Sequence, residues 1–278
     1  MIPILITPHY VLPVFYKPAT SFFGDTNGKV SQVTNGFSLV GNPYASPVDL
    51  SVIAFAQLPN TSYALNNLVY RFYIWDANLT GSTGVGGYVV LDDADFNVDG
   101  SGALIYTKST GGTATPADLA IQSGQAFFVQ TTFYDYSASQ PASITFQESA
   151  KSAVPNFIFR PAVPATAPSS PRSVNLSTVP DKTFSATLSL LNSDSSASLT
   201  DGTVAKYNDG YCACVDYMDA PKLSNQDETF ALSRSGKTLA IERRPTIQKN
   251  DTLFISIANM TQRSYQLGFT AGLLNNQD

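Results

Sequence analysis

Asp93, Asp95, Asn97 and Asp99 stand two residues apart in the run Asp92-Asp93-Ala94-Asp95-Phe96-Asn97-Val98-Asp99-Gly100. Oxygen-bearing side chains at alternate positions, closed by a glycine that permits a sharp turn, are the donor set of a calcium loop. The run lacks the glutamate that would complete such a loop, so a solvated acidic turn is its other reading. Calcium is the one cofactor the chain suggests. Tyr134 and Tyr136 point to a different chemistry. They lie in a polar stretch, Thr131 to Ser143, that reads as an insertion between two strands. Exposed rings there could stack on sugars and bind glycans; structural contacts by the same rings are the alternative. Trp75, the sole tryptophan, sits inside a strand pattern and reads as core.

Catalysis finds less support. His9 is the only histidine, held between Pro8 and Tyr10, which leaves no Ser-His-Asp or Cys-His arrangement with a plausible base. Asp76, Asp118, Glu148, Asp216 and Asp219 could supply the two carboxylates of a glycosidase, but nothing in the sequence pairs any two of them. A non-enzyme is expected. Cys212 and Cys214 are two apart and would share one face of a strand, where a disulfide between them demands strained geometry. With one histidine and no further cysteine, a zinc site lacks ligands. The pair reads as two small, buried or half-buried strand residues. A net charge of -5 opposes a nucleic-acid partner, which needs a basic footprint. No apolar run is long enough to span a bilayer.

The elements that would position these residues are mostly strands. Charged residues are only 13% of the chain, and Ser, Thr, Asn, Gly and aromatic residues abound, which suits short strands joined by polar turns. Strand patterns fall at Gly36–Val40, Leu68–Trp75, Tyr88–Leu91, Ala103–Lys108, Gln125–Thr132 and Ser143–Phe146. A second set covers Phe184–Leu190, Thr203–Tyr207, Tyr211–Asp216, Thr229–Leu232, Thr238–Ile241, Thr252–Ile257 and Ser264–Phe269. Ser235-Gly236-Lys237 is the clearest hairpin turn. In Gly41-Asn42-Pro43-Tyr44 the chain must turn, with a positive φ expected at Gly41 or Asn42. Ser46 reads as the N-cap of a short helix, with Pro47 at its first position and Asp49 completing a capping box. A further helical turn is expected after Thr115-Pro116-Ala117-Asp118.

Between the two sets, Pro161 to Pro171 holds four prolines and reads as a semi-rigid linker. The expected organisation is a ragged N-terminal edge at 1–19, a β module at 20–160, the linker at 161–171, and a second β-sandwich module at 172–278. The fold class is all-β: two tandem antiparallel sandwich or jelly-roll-like modules with one or two short helices. Met1 to Thr7 lacks the basic start and cleavage site of a signal peptide and reads as the cut edge of a larger chain.

Gly36-Phe37-Ser38-Leu39-Val40-Gly41-Asn42-Pro43-Tyr44-Ala45-Ser46-Pro47-Val48-Asp49 resembles a phrase that opens β-rich modules of large, repetitive Bacteroidetes surface proteins exported by type IX secretion. Ile121-Gln122-Ser123-Gly124-Gln125-Ala126-Phe127-Phe128-Val129 and Tyr217-Met218-Asp219-Ala220-Pro221-Lys222-Leu223 resemble other segments of the same modules, and the likeness spans roughly residues 20–270. It implies a bacterial extracellular or cell-surface location and a β architecture, and no reaction. Asp251-Thr252-Leu253 then resembles the O-glycosylation signal of such bacteria, with Thr252 as acceptor; a plain strand residue is the other reading. The expected role is a non-catalytic structural or adhesive module. A carbohydrate-binding accessory module and a self-assembling filament or surface-layer subunit are the alternatives. In the resembled modules further strands follow Ser264–Phe269, so the second module is expected to be incomplete. Its open edge, with apolar Met1 to Tyr16 as counterpart, would be completed by strand addition from neighbouring modules or another copy.

Overall fold

The computed structural model describes residues 10–13, 36–56, 68–94, 104–131, 143–152 and 182–272. In chain order the first elements are β1 (Tyr10–Pro13), β2 (Gly36–Gly41), β3 (Val48–Asp49), α1 (Leu50–Ala56) and β4 (Leu68–Asp76). Next come β5 (Gly87–Asp92), β6 (Thr107–Lys108), β7 (Ala120–Ile121), β8 (Ala126–Thr131), β9 (Ser143–Phe146) and a 3-10 turn at Glu148–Ala150. Then follow β10 (Lys182–Leu191), β11 (Ala197–Tyr207), β12 (Ala220–Pro221), β13 (Thr229–Arg234), β14 (Lys237–Arg244), β15 (Phe254–Ala258) and β16 (Tyr265–Gly272). The protein is all-β, built from several antiparallel sheets, one of them curled into a half-barrel.

The chain divides into two compact units, and neither is continuous in sequence. One comprises Met1–Phe72 with Ala114–Asn156, the other Tyr73–Thr113 with Phe157–Asp278. The sequence reading had placed Tyr73–Thr113 with the first module. Short-range pattern cannot see the reason, which is that Asp92, Tyr88 and Thr83 make their bonds with Arg243, Asn225 and Asp227. The stretch Pro161 to Pro171 lies outside the described residues, as do Asp95, Asn97, Asp99, Tyr134, Tyr136 and His9.

In the first unit, β2 pairs with β8, β3 with β7 and β1 with β9, all antiparallel. The segment Tyr10–Pro13, expected to complete an open edge elsewhere, is already a strand in its own chain. Phe72 meets Phe127 edge to face at 5.6 Å, and the buried Arg71 guanidinium donates to Gln130 at 2.7 Å. The Gly41-Asn42-Pro43-Tyr44 turn works differently from the expectation. Gly41 ends β2 opposite Ala126, and neither it nor Asn42 has a positive φ. The turn is held by the buried Asn42 side chain, whose Nδ2 donates to Ser46 O at 2.9 Å and Ile121 O at 3.0 Å while Oδ1 accepts the Tyr44 amide at 2.9 Å. The Tyr44 hydroxyl reaches the Phe146 carbonyl at 3.2 Å.

Ser46 is not the helix cap. Val48 and Asp49 are committed to the ladder with β7, so α1 cannot begin until Leu50. Asp49 is the cap instead: its Oδ1 accepts the Ser51 amide at 2.8 Å. The helical turn expected after Thr115 is a turn closed by Thr115 and Asp118, which bond each other reciprocally.

The second unit is built on the sheet order β15-β13-β14-β11-β10-β16, with β12 beside β14. Its pairs are antiparallel except β11 with β14. The hairpin β13–β14 turns at Ser235 and Gly236, whose φ values of 48° and 72° are those of a tight primed turn. Its core holds Ala186, Leu188, Ala205, Phe230, Leu232 and Leu239, with Phe184 and Ile255 packed against it. Two buried ion pairs cross it, Lys222 with Asp201 and Arg243 with Asp92. Tyr211–Asp216, expected as a strand, is not one. The Asn208 and Asp216 side chains accept amides two residues on, at 3.0 Å and 2.8 Å, and these side-chain turns displace a ladder. Cys212 and Cys214 on that loop are exposed and joined by a disulfide, against the expectation of two buried or half-buried strand residues.

Candidate functional site

β10 turns Phe184, Ala186, Leu188 and Leu190 to one face, and in register they oppose Ala271, Phe269, Leu267 and Tyr265 of β16. Opposed residues of an antiparallel pair share a face. Ala186, Leu188 and Leu190 are 0%, 1% and 4% exposed, whereas Leu267 and Phe269, one strand further out, are 45% and 55% exposed. The apolar face therefore continues past the point where the core covers it. Phe269 stacks on Phe184 at 5.9 Å, and Tyr265 packs against Ala186, Leu188 and Phe230, so β16 is firmly held on its inner side. On the reverse face the register sets Gly272 and Gly268 against Thr183 and Thr187, where a Cβ would come within 2.5 and 2.6 Å of the threonine hydroxyls. Among the described strands nothing pairs with the outer side of β16. Its sequence, Tyr-Gln-Leu-Gly-Phe-Thr-Ala-Gly, has neither the charge nor the proline that usually blunts an edge.

At the other end of the sheet, β13, β14 and β15 form a groove of about 590 Å³. Glu242 and Arg244, two apart on β14, share a face, and the buried Glu242 carboxylate accepts from Arg234 at 2.9 Å with Arg244 Nε 3.6 Å away. Two guanidiniums on one carboxylate leave the groove a net positive charge. Ser233, Ser256 and Thr252 add hydroxyls, and the exposed Phe254 ring forms part of the wall. Burial raises the nearby Tyr207 hydroxyl above its usual range, despite the opposing pull of Arg244. Arg234, Glu242, Arg244 and Phe254 escaped the sequence reading. The alternation of Glu242 with Arg244 was its only local signal.

Asp93 is buried, while its three expected calcium partners lie outside the described residues. Neighbouring Asp92 is engaged by Arg243. Thr252 is exposed and precedes β15, with its carbonyl accepting from Arg244 at 3.2 Å; it is not a strand residue. The carboxylates weighed for hydrolysis sit in local structure: Asp76 accepts the Asn78 amide, Asp118 bonds Thr115, Glu148 pairs with Lys151, and Asp219 accepts the Asp216 and Arg243 amides.

Residues 14–277 match a family model described as a domain of unknown function, DUF8693. No curated protein and no solved structure matches the chain.

Proposed function

The chain belongs to the DUF8693 family, and we propose that it is a non-catalytic structural and adhesive module of a large extracellular surface protein, joined to a second copy through β16. The observation that carries the reading is the abrupt exposure of the apolar face at Leu267 and Phe269, on an uncharged edge. A strand added there would pair the outer amides and carbonyls of β16 and cover both side chains. Because β16 carries no charge, two copies can meet antiparallel about a two-fold axis without repulsion at the seam, despite the acidic balance of the whole.

The experiment is sedimentation of the purified chain across a range of concentrations. The parent should associate as concentration rises, and Phe269→Lys should remain monomeric with an unchanged circular-dichroism spectrum. A parent that stays monomeric throughout would refute strand addition. The groove between β13 and β15 favours a second reading, a carbohydrate-binding module. Its guanidiniums, hydroxyls and exposed ring suit a sugar bearing a carboxylate. Glycan binding that survives Phe269→Lys and disappears in Arg244→Ala would support this reading.

A further inference from the structure

Cys212 and Cys214 close their disulfide across a single residue, Ala213, on the loop between β11 and β12. We propose that this pair is a reducible dithiol, and that its reduced form binds a thiophilic divalent cation through both sulfurs and the Asp216 carboxylate.

Accessibility comes first. Cys212, Ala213 and Cys214 are all exposed and lie outside any strand, so an incoming thiolate can reach the disulfide without disturbing a ladder. The loop also has little need of the bond. A ring closed over one intervening residue removes little loop-closure entropy from the unfolded chain. Other contacts hold the loop: Asn208 accepts the Gly210 amide at 3.0 Å, Asp219 accepts the Asp216 amide at 2.8 Å, and the Arg234 guanidinium donates to the Ala213 carbonyl.

The Cys214 amide donates to Cys212 Sγ at 3.0 Å, and the Arg234 guanidinium lies against the intervening peptide. Finally, one ligand atom from each of Cys212, Cys214 and Asp216 lies within 4.8 Å of the others. The two sulfurs lie together because they are bonded, so the independent observation is the Asp216 oxygen beside both of them; once the bond is opened, two soft sulfurs and this oxygen are the donor set of a zinc-like ion, with a fourth position left to solvent. The sequence supplied only the two sulfurs; the turn through Asp216 and Met218 brings the carboxylate.

Reduction proceeds by ordinary exchange. The thiolate of a small external thiol attacks one sulfur, the Cys212–Cys214 bond breaks, and the other sulfur leaves as thiolate. A second external thiol attacks the mixed disulfide and departs as an external disulfide, so two thiols are oxidised as two cysteines are reduced. The cation then displaces the remaining thiol protons. The oxidised pair has no thiolate to offer, so cation binding depends on redox state.

The test uses the whole chain, reduced under anaerobic conditions, freed of reductant and titrated with Cd²⁺ as a spectroscopic substitute for Zn²⁺. Reduced protein should develop a sulfur-to-metal charge-transfer band that saturates at one ion per chain and is competed away by Zn²⁺; oxidised protein should show none. Cys212→Ser should abolish the band while circular dichroism reports an intact fold, and Asp216→Ala should weaken binding by about tenfold or more. A disulfide that resists reductant until the chain unfolds would overturn the dithiol. A reduced chain with no band would overturn the cation site, and unchanged affinity in Asp216→Ala would overturn the carboxylate ligand.

Discussion

The Asn42 carboxamide ties three separated backbone groups together, those of Tyr44, Ser46 and Ile121. Replacing it with alanine leaves buried donors and acceptors unmet, so Asn42→Ala should cost the first unit about 2–3 kcal/mol. Gly41→Val should stay within about 0.5 kcal/mol of the parent, because Gly41 is exposed, has no positive φ, and offers a Cβ no neighbour within 4 Å. Denaturant titration of the two variants checks both, and a Gly41→Val loss equal to that of Asn42→Ala would contradict the assignment. The sequence reading expected a turn made by a positive φ at Gly41 or Asn42; the turn is instead held by the Asn42 side chain. Gly and Asn side by side suggest backbone freedom. The decisive bond runs to Ile121, 79 residues away, where no local pattern reports it.

The loop between β4 and β5 shows how carboxylates can brace an element without doing chemistry. Burial pushes the Asp227 and Glu228 carboxyls up, but hydrogen bonds outweigh it. Asp227 accepts from the Thr83 hydroxyl and amide, and Glu228 from the Tyr265 hydroxyl and the Ser82 amide. Both are therefore held below their ordinary values of 3.8 and 4.5. Lowered folded values mean that the unfolded chain binds protons more readily. The stability they confer is complete above the ordinary values and drains away as pH falls through the lowered ones. Melting temperatures taken from neutral pH to about pH 3 should fall more steeply for the parent than for Asp227→Asn; equal slopes would remove the bracing role. Among the elements, β9 and the Ser235-Gly236 hairpin were legible because alternation and turn chemistry are local signals. The Tyr211–Asp216 segment was not, because it alternates like a strand while its end amides are taken by local turns, Tyr211's by the Asn208 carbonyl and Asp216's by the Asp219 carboxylate.

At the scale of the molecule, composition marked a proline-rich break between Pro161 and Pro171 as the linker of two modules. The second unit draws on both sides of that break, through the Asp92–Arg243 ion pair, the Tyr88–Asn225 bond and the Thr83–Asp227 bonds. A chain cleaved between Pro161 and Pro171 should thus elute as one species in native gel filtration and separate only in denaturant. Two freely separating fragments in native buffer would show that these bonds do not hold. The same discontinuity has a consequence for how the molecule is made. A ribosome releases the amino end first, so Tyr73–Thr113 emerges long before any residue of Phe157–Asp278 has been translated. During that delay Asp92, buried in the finished protein, has no Arg243 to pair with, and Tyr88 and Thr83 lack Asn225 and Asp227. The nascent chain must carry a strand in waiting, which makes it a natural client for a holding chaperone.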